Sequence, residues 1–508
     1  MDMVFGIETF ILIFSVIVFV GILIGKVGAR LGIPALLLFL FTGMLFGVDG
    51  LGIRFEDAKM TQNIGMVALS IILFTGGMDT KMKEIRPILL PGICLSTLGV
   101  LLTTLFTGLF IYGVTNYFSP WIGVVFSLPL SLLLAATMSS TDSASVFAIL
   151  RSQRVQLKEN LKPMLELESG SNDPMAYMLT IVLIEYINNS SLNFGYFLIH
   201  FLSQFVVGAG VGIFLGYSAV WFINRINISN RMLYPILLLS LLFFTFSIAN
   251  ILKGNGYLAV YIAGIIAGNT RLQYRSTINH FFDGITWLVQ IILFLILGLL
   301  INPHEMPEVL VLSILIALFM MFLGRPLACH LSLLPFRKLS LKGKAFLSWV
   351  GLRGAAPIIF ATYPVVNGVS EANHIFSIVF IITLLSLLVQ GMSITPVARF
   401  FKLATPAPPE GNFMGVEMPE EMGTIMEERV VDVEMLSGGD ELKKLTLHEG
   451  ELVILVRRKN RFIVPKGGLK LHVGDILLVV SQHDLPDSPP TRATLLIERI
   501  RKSLIQNS

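Results

Sequence analysis

The chain has 508 residues, of which 54% are hydrophobic and only 14% charged, and its net charge is +4 at pH 7. Soluble proteins usually carry about 25% charged residues, and one soluble core does not grow to this length with so few. Composition therefore excludes disordered, collagen-like and ordinary cytosolic proteins and indicates a multi-spanning membrane protein. The small net charge gives no indication of a nucleic-acid partner, and the two distant cysteines, Cys94 and Cys329, exclude a disulfide framework.

Residues 1–402 consist of thirteen apolar segments separated by short polar loops. The first segment is not expected to be a signal peptide, because no basic residues precede it and it is longer than the apolar core of a signal peptide. The segments cover residues 8–29, 33–48, 62–78, 86–115, 121–151, 161–188, 193–223, 231–252, 256–270, 281–301, 306–324, 344–364 and 373–401.

The distribution of Lys and Arg supports this count of segments. Of 24 basic residues before residue 403, 20 lie in alternate loops and segment ends, 3 lie in the intervening loops, and Arg353 lies inside a segment. Cytoplasmic loops hold the excess of Lys and Arg, so the N-terminus is expected outside and the C-terminus in the cytoplasm.

An odd count suits two inverted repeats of six segments joined by the seventh. The fifth segment has a polar interior, Thr137-Met-Ser-Ser-Thr-Asp-Ser-Ala-Ser145, and the twelfth contains Gly351-Leu-Arg-Gly-Ala-Ala-Pro357. Interrupted helices at corresponding positions of two repeats indicate a transporter site near the bilayer midplane. The alternative interpretation is that both are ordinary kinks.

Three ionisable residues lie deep within their segments. At about 1.5 Å per residue, Asp142 and Arg353 are each about 14 Å from a segment end, and Asp173 is about 18 Å deep. Because charges at this depth cost several kcal/mol each, they are candidates for function. We therefore expect the three to converge on one layer.

The sixth segment supplies oxygen ligands for a cation. Ser169 and Asp173 are four residues apart on one helical face, with Asn172 beside them. Thr141 and irregular backbone of the fifth segment can add oxygens, since such backbone is tolerated where it lines a cavity. The predicted cation- and proton-binding residues are Asp173, Asn172, Ser169, Asp142 and Thr141, with the alkali cation itself at Asp173, Ser169 and Thr141. Clustered His or Cys ligands for a transition metal are absent from the sequence.

Other interpretations stay open for several of these residues. Asp142 and Asp173 could be structural polar groups, and Arg353 is better explained as a counter-charge than as a ligand, with Glu168 as its expected partner. Glu166 is most simply a solvated vestibule residue. Nucleophilic chemistry at Ser139, Ser140, Thr141 or Ser169 is not expected because the sequence places no His or Lys base at that depth.

These motifs together resemble a known transporter family. Thr141-Asp142, Glu168-Ser169 with Asn172-Asp173, and Gly351-Leu-Arg-Gly-Ala355 are similar to the core motifs of the monovalent cation:proton antiporter-1 family, the NhaP-type exchangers. Glu168-Ser-Gly-Ser-Asn-Asp-Pro-Met-Ala176, Leu258-Ala-Val-Tyr-Ile-Ala-Gly264 and Gly354-Ala-Ala-Pro357 resemble its potassium/proton (CvrA-like) branch. One departure is Ser143, where the family often has proline.

The resemblance implies a homodimer with an inverted-repeat fold and elevator-like alternating access. It implies Asp173 as the carboxylate that binds cation and proton, Asn172 in place of a second aspartate, and Glu168 paired with Arg353. The expected fold class is an all-α polytopic membrane domain of about thirteen transmembrane helices, with two interrupted crossing helices, plus a small α+β cytoplasmic domain.

The C-terminal part differs from the membrane part in composition. Residues 403–508 contain 13 of the 37 Lys and Arg and no apolar run near the length of a membrane span. Thr405-Pro-Ala-Pro-Pro-Glu410 predicts a stiff linker, placed at residues 403–424. The β-rich runs predict strands at Glu451–Arg457, Arg461–Val464 and Ile476–Val480.

The turns between these strands carry a second resemblance. Gly439-Asp-Glu-Leu, Leu447-His-Glu-Gly450, Ile463-Val-Pro465 and Gly474-Asp475 resemble the RCK C-terminal (TrkA-C) domain of potassium transport systems, over about residues 425–482. That family implies dimerisation and, in some members, a small regulatory ligand such as a cyclic dinucleotide or nucleotide. A Gly-x-Gly-x-x-Gly turn is absent from the sequence, so a dinucleotide cofactor is not expected. Residues 483–508 are expected to form a basic tail.

The expected function is electroneutral exchange of potassium, sodium or both for protons across the bacterial inner membrane, with no enzymatic activity and no cofactor. Its expected partners are the lipid bilayer, monovalent cations, protons and a second copy of the chain. The alternatives are a sodium-selective antiporter, an RCK-gated potassium channel and a membrane-embedded sensor. No Thr-Val-Gly-Tyr-Gly selectivity filter occurs in the sequence, which disfavours the channel.

Overall fold

A computed structural model describes residues 7–31, 34–53, 55, 57–118, 123–153, 155–189, 194–406, 426–432, 435–436, 439–445, 447, 451–458 and 461–481. The chain divides into two compact units, residues 1–408 and 409–508. The boundary that the sequence predicts lies within a few residues of this division. Most of the predicted linker and the predicted tail 483–508 lie outside the described residues.

In the described residues of the first unit, helices and their connecting loops are accompanied by two short strands. Its helices are α1 Ile7–Leu31, α2 Ala35–Phe46, α3 Ala58–Asp79, α4 Met82–Tyr117, α5 Leu128–Thr137, α6 Ser143–Ser152, α7 Leu161–Asn188, α8 Phe194–Arg225, α9 Leu233–Ile251, α10 Gly256–Asn269, α11 Arg275–Leu300, α12 Pro307–Ser332, α13 Leu341–Trp349, α14 Ala355–Val366 and α15 Ala372–Phe400.

Seven of the described helices are long and apolar enough to cross a membrane: α3, α4, α8, α9, α11, α12 and α15. Five shorter apolar stretches occur at Phe14–Lys26, α2, α5, α10 and α14. Every one of the thirteen predicted apolar segments overlaps at least one helix. The mostly helical fold is thereby confirmed, and the exact number of spans stays a prediction.

Two of the predicted segments are each split into a pair of helices. The fifth becomes α5 and α6, separated by non-helical residues 138–142, and the twelfth becomes α13 and α14, separated by residues 350–354. The eleventh runs further than predicted, because α12 continues through a π-helical turn at Met320–Gly324 to Ser332. This extension places Arg325 inside the helix, 5% exposed, where the sequence had placed it in a cytoplasmic loop.

The helices of the first unit pack as two groups. In the scaffold group, α10 lies against α3 and α8, and α11 lies against α2 and α3. In the core group, α7 lies against α5, and α15 lies against α14 and α12. Glycines allow close backbone approach in the scaffold group: a Cβ at Gly77 would lie 2.5 Å from the carbonyl oxygen of Tyr261 in α10. The scaffold is thus tightly joined within itself.

A two-stranded antiparallel ribbon links two parts of the first unit. Strand β1, Val155–Leu157, precedes α7, and strand β2, Ala404–Pro406, follows α15. Gln156 pairs with Thr405 in this ribbon. The beginning of the predicted linker is therefore a strand that hydrogen-bonds to the segment in front of α7.

The second unit contains a four-stranded antiparallel sheet in the order β3-β6-β4-β5. The strands are β3 Met426–Val430, β4 Glu451–Arg458, β5 Arg461–Ile463 and β6 Ile476–Ser481, and the last three agree with the sequence prediction. The described residues of this unit also include one 3₁₀ turn, Leu442–Lys444. Apolar side chains that include Val431, Val453, Val456 and Leu477 form its core.

Candidate functional site

The two non-helical segments of the core group touch one another. The backbone N–H of Asp142 donates to the carbonyl oxygen of Leu352 at 2.8 Å, which ties the break after α5 to the break after α13. The N–H of Arg353 donates to Ser386 Oγ at 3.0 Å, which ties the second break to α15. Because these backbone groups lie outside regular helix, their bonding across the crossing satisfies polar groups that membrane burial would otherwise leave unpaired.

Gly351 and Gly354 make this crossing sterically possible. A Cβ at Gly351 would collide with the Arg325 side chain, and a Cβ at Gly354 would collide with the carboxyl group of Asp142. Glycine permits such close approach because it has no side chain. The glycines of the Gly351-Leu-Arg-Gly354 motif therefore create space for two charged side chains.

Asp173 lies beside the crossing. Its side chain is 7% exposed, and its Oδ1 accepts a hydrogen bond from Ser140 Oγ. The carbonyl oxygen of Ser140 in turn accepts a hydrogen bond from Arg353 Nη1. Among the described residues, no Lys, Arg or His lies within ion-pair distance of the Asp173 carboxyl group. Arg353 thus contacts the peptide beside the carboxylate and makes no direct ion pair with it.

Asn172 and Ser169 bind the same non-helical segment. Asn172 Nδ2 donates to Thr141 Oγ1 at 2.5 Å, and Ser169 Oγ donates to the Thr141 carbonyl oxygen at 2.9 Å. Ser169 Oγ also accepts from the N–H of Ser143 at 3.0 Å. The side-chain oxygen of Asn172 is buried with no hydrogen-bond donor in the described part of the chain. A buried carbonyl oxygen without a donor suits a cation, since unpaired acceptors are costly.

Asp142 caps the N-terminus of a helix. It is the N-cap residue of α6, and its carboxylate accepts from the Ser145 N–H at 3.2 Å and from Ser145 Oγ at 2.5 Å. A carboxylate at a helix N-terminus is a favourable cap because it satisfies free N–H groups. The expected place of Asp142 at the crossing is found, while its role as a cation ligand stays a prediction.

The prediction that Glu168 pairs with Arg353 is wrong, because Glu168 pairs with Arg325 instead. Glu168 Oε1 accepts from Arg325 Nη2 at 2.7 Å, and both side chains are nearly inaccessible, 3% and 6% exposed. Arg325 Nη2 also donates to the Leu347 carbonyl oxygen at 3.2 Å. The reason for the error is that α12 extends past its predicted end and brings Arg325 to the Glu168 side of α7.

The chemistry of the site follows from this arrangement. Asp173 supplies a carboxylate, and the side-chain oxygen of Asn172 supplies a neutral acceptor. Hard oxygen ligands of this kind suit an alkali cation, and a carboxylate also binds a proton. The predicted ligands Ser169 and Thr141 lie at the same crossing, where their hydroxyl groups take part in the hydrogen bonds that join α7 to the broken segment.

Sequence reasoning missed two residues of this site. Ser140 is the direct donor to Asp173, and its only signal in the sequence is its place in the polar run before Asp142. Arg325 follows Gly324 and precedes Pro326, a pattern that reads as the end of a segment. Its burial could have been inferred only from the apolar residues that continue beyond Pro326.

Comparisons with known proteins place the chain in a family of transporters. The family described as sodium/hydrogen exchanger, transmembrane, matches residues 9–400. A protein named K(+)/H(+) antiporter NhaP2 from Shewanella sp. (strain MR-4) is 39% identical over 485 residues, 94% of this chain and 82% of its own length. K(+)/H(+) antiporter NhaP from Alkalimonas amylolytica is 40% identical over 397 residues, 78% of this chain and 67% of its own length.

A more distant relative and a solved structure extend the comparison. Low-affinity Na(+)/H(+) antiporter NhaS1 from Synechocystis sp. is 26% identical over 409 residues, 77% of this chain and 73% of its own length. The structure of the sodium proton antiporter MjNhaP1 from Methanocaldococcus jannaschii at pH 8 superposes with a TM-score of 0.65 at 23% identity, covering 76% of this chain and 100% of the other. At that identity the likeness concerns the fold, which is the antiporter fold.

The family is one of transporters rather than of enzymes, as the sequence predicted. The match includes both broken segments and α7, so the crossing at Asp173 lies within the part that defines the family. The chain is a membrane-embedded, multi-pass member of the sodium/hydrogen exchanger family.

Proposed function

We propose that this chain exchanges potassium for protons across the membrane, with cation and proton competing for Asp173. The observation that carries the proposal is a buried carboxylate at the crossing of two broken helices, with a hydroxyl donor and no ion-pair partner among the described residues. Such a carboxylate has no fixed counter-charge, so a proton or a bound cation neutralises it during transport. The names of the two relatives at 39% and 40% identity support potassium as the cation.

Competition for one carboxylate makes the exchange electroneutral. One carboxylate binds either one proton or one monovalent cation, so the loaded core carries the same charge in both directions. The two loads cross oppositely, and the gradient of one drives the other without ATP. The core group of helices moves against the scaffold group in this proposal, and a second copy of the chain stabilises the scaffold.

Sodium selectivity is the second candidate. The relative named as a low-affinity sodium/proton antiporter favours it, at lower identity. The oxygen ligands at Asp173 and Asn172 do not by themselves discriminate between the two alkali cations. The two candidates differ in which cation gives the lower apparent KM.

The test is exchange in proteoliposomes with a pH-sensitive dye inside. Addition of potassium to the outside is expected to alkalinise the lumen, because potassium enters as protons leave, with choline as the control cation. Clamping the membrane potential at different values should leave the rate unchanged. A current that follows the potential without proton movement would indicate the channel instead, and a lower KM for sodium would indicate the sodium antiporter.

We further propose that the C-terminal unit, residues 425–482, regulates transport as an RCK C-terminal domain in the cytoplasm of a bacterial cell, with the protein in the inner membrane. Support comes from its sequence motifs and from the charge of the loops. A small ligand, such as a cyclic dinucleotide, would have to bind one transport state better than another to have any effect. Its direct detection is a shift in thermal stability of the full chain when the nucleotide is added.

A truncation that removes the C-terminal unit should leave the ribbon of β1 and β2 intact. A chain ending after Pro408 keeps Ala404–Pro406 paired with Val155–Leu157, whereas a chain ending after Phe401 loses the strand. The chain that ends after Pro408 is expected to retain exchange with an altered pH or cation dependence. If it folds and dimerises but does not transport, the C-terminal unit is required for exchange itself.

A further inference from the structure

The N-terminal end of α10 binds the core helix that carries Asp173. Asn255, which is fully buried, donates from Nδ2 to the carbonyl oxygen of Pro174 at 2.8 Å. Its Oδ1 accepts from the Leu258 N–H at 3.0 Å and so caps α10. The residue therefore joins a scaffold helix to α7 directly beside the candidate site.

Three tyrosines from three helices lie together on the same side of Asp173. Tyr177 is four residues after Asp173 on α7, Tyr257 begins α10, and Tyr363 is near the end of α14. The ring of Tyr177 lies 4.8 Å from that of Tyr257 and 5.4 Å from that of Tyr363, in edge-to-face arrangements. The hydroxyl oxygens of Tyr257 and Tyr363 are 3.4 Å apart. Such edge-to-face pairs are favourable beyond the area they bury.

This tyrosine cluster crosses the boundary between the two helix groups. Tyr257 and Asn255 belong to the scaffold group, because α10 packs on α3 and α8. Tyr177 and Tyr363 belong to the core group. Motion of the core against the scaffold would therefore separate the contacts of Tyr257 with Tyr177 and Tyr363 and the hydrogen bond from Asn255 to Pro174.

The opposite side of Asp173 is more open. Glu166, two helical turns away on α7, is 19% exposed in its side chain, and Ser169 and Ser171 are partly exposed. On the tyrosine side Tyr257 is 0% and Tyr363 is 5% exposed, while Tyr177 is partly exposed. The side chains of Tyr257 and Tyr363 are thus more deeply buried than those of Glu166, Ser169 and Ser171 on the other side of Asp173.

We propose that Asn255, Tyr177, Tyr257 and Tyr363 form a gate that closes the path to Asp173 on the Tyr177 side. This inference rests on the proposed exchange function. The contacts that Asn255 and Tyr257 make with the core group exist only while the gate is shut, so they stabilise the state that opens toward Glu166. The distribution of Lys and Arg among the loops predicts that the gate faces the outside of the cell.

The gate predicts opposite changes in apparent affinity at the two membrane faces. When a binding-competent state is only partly populated, the apparent dissociation constant rises by the inverse of that population. Weakening the gate raises the population open on the Tyr177 side. The KM for potassium at that face should then fall, and the KM at the Glu166 face should rise.

Two small substitutions weaken the gate without emptying the core. Tyr257→Phe keeps the ring and removes the hydroxyl, and Asn255→Ser keeps a helix-capping residue but is too short to reach Pro174. Tyr234→Phe is the matched control, because Tyr234 is a buried scaffold tyrosine whose hydroxyl donates to the Ile226 carbonyl oxygen, away from the core group.

The experiment measures the KM for potassium in right-side-out and inside-out vesicles of the full chain. The ratio of the two values is expected to change about two- to tenfold in the Tyr257→Phe, Asn255→Ser double variant, and to stay constant in Tyr234→Phe. Equal changes at both faces, or none, would overturn the gate. If the double variant does not fold, Tyr257→Phe alone decides by the same ratio.

The outcome also separates the gate from the function on which it rests. A wild-type chain that shows no cation/proton exchange refutes the proposed function and the gate with it. A wild-type chain that exchanges normally, with an unchanged ratio in the variants, refutes the gate alone.

Discussion

Glu168 and Asp173 lie five residues apart on α7 and have opposite surroundings. Glu168 is paired with Arg325 at 2.7 Å, in a place that solvent hardly reaches. Asp173 accepts a hydrogen bond from Ser140, and the nearest cationic side chain in the crossing, Arg353, donates to a carbonyl oxygen instead. Among the described residues, one carboxylate therefore makes a direct ion pair and the other does not.

The difference separates structure from transport on a single helix. A carboxylate that is already neutralised by arginine has little reason to bind a proton or a cation, and its loss leaves a buried charge unpaired. A carboxylate without a counter-charge must obtain one from its load. Glu168 is accordingly expected to hold the core group together, and Asp173 is expected to carry the load.

The largest expected effect is the loss of exchange in Asp173→Asn. The amide cannot release a proton or balance a cation, so the dye signal on adding potassium should vanish. The folded, dimeric protein should remain, because the amide is neutral and can still accept from Ser140. Normal exchange by this variant would contradict the role of Asp173.

The second effect concerns stability and Glu168. Arg325→Met is expected to destabilise the protein by about 3–5 kcal/mol, because it leaves a buried carboxylate unpaired. The double variant Arg325→Met with Glu168→Gln should recover much of that loss, since it removes both charges. Thermal unfolding in detergent measures both. Losses that simply add would show that the two side chains do not interact.

Arg353→Ala should have a smaller effect on stability, about 1–3 kcal/mol, because it removes a hydrogen bond to the Ser140 carbonyl oxygen and no ion pair. Combined with Glu168→Gln, its loss should be additive. A coupling as large as that between Glu168 and Arg325 would restore the pairing that the sequence first indicated. The readout is the melting temperature of the four proteins of the cycle.

The smallest effect is expected in the C-terminal unit, at Asp475. Burial opposes ionisation of its carboxyl group, but hydrogen bonds from Arg458 and from the His472 N–H more than offset this and lower its pKa. A lowered pKa stabilises the folded state above the unfolded pKa of about 4, and this stability is lost as pH falls through the folded value.

Asp475→Asn is therefore expected to weaken this unit by about 1–2 kcal/mol at neutral pH, and by less below about pH 4. Hydrogen exchange of β6 amides in the full chain measures the change locally. The control is Asp440→Asn, whose carboxylate is exposed and bonded to the flexible Lys470 side chain. Equal effects of both substitutions at every pH would contradict the role given to Asp475.

Much of the fold could be predicted because membrane burial leaves a strong pattern. Runs of apolar residues predicted every segment, and polar runs at Thr137–Ser145 and Gly351–Pro357 predicted the two breaks. Helical spacing also put Ser169 and Asp173 on one face of α7. These features depend on local sequence or on the depth of a residue in the bilayer.

The partner of Glu168 could not be predicted in the same way. Spacing along a helix fixes the face on which a side chain lies, but not which of two arginines from other helices reaches it. The π-helical turn at Met320–Gly324 leads into Arg325, and nothing in the local sequence signals that turn. The sequence predicts a linker where strand Ala404–Pro406 lies for a related reason, since the partner strand precedes α7 and is far away in the chain.

The most direct test of the central claim is proton release on cation binding. Potassium is added to purified protein in weak buffer, and the pH change is recorded without any membrane. Competition at Asp173 predicts that wild type releases protons as potassium binds and that Asp173→Asn releases none. Potassium binding without proton release in the wild type, or equal release by the variant, would contradict the claim.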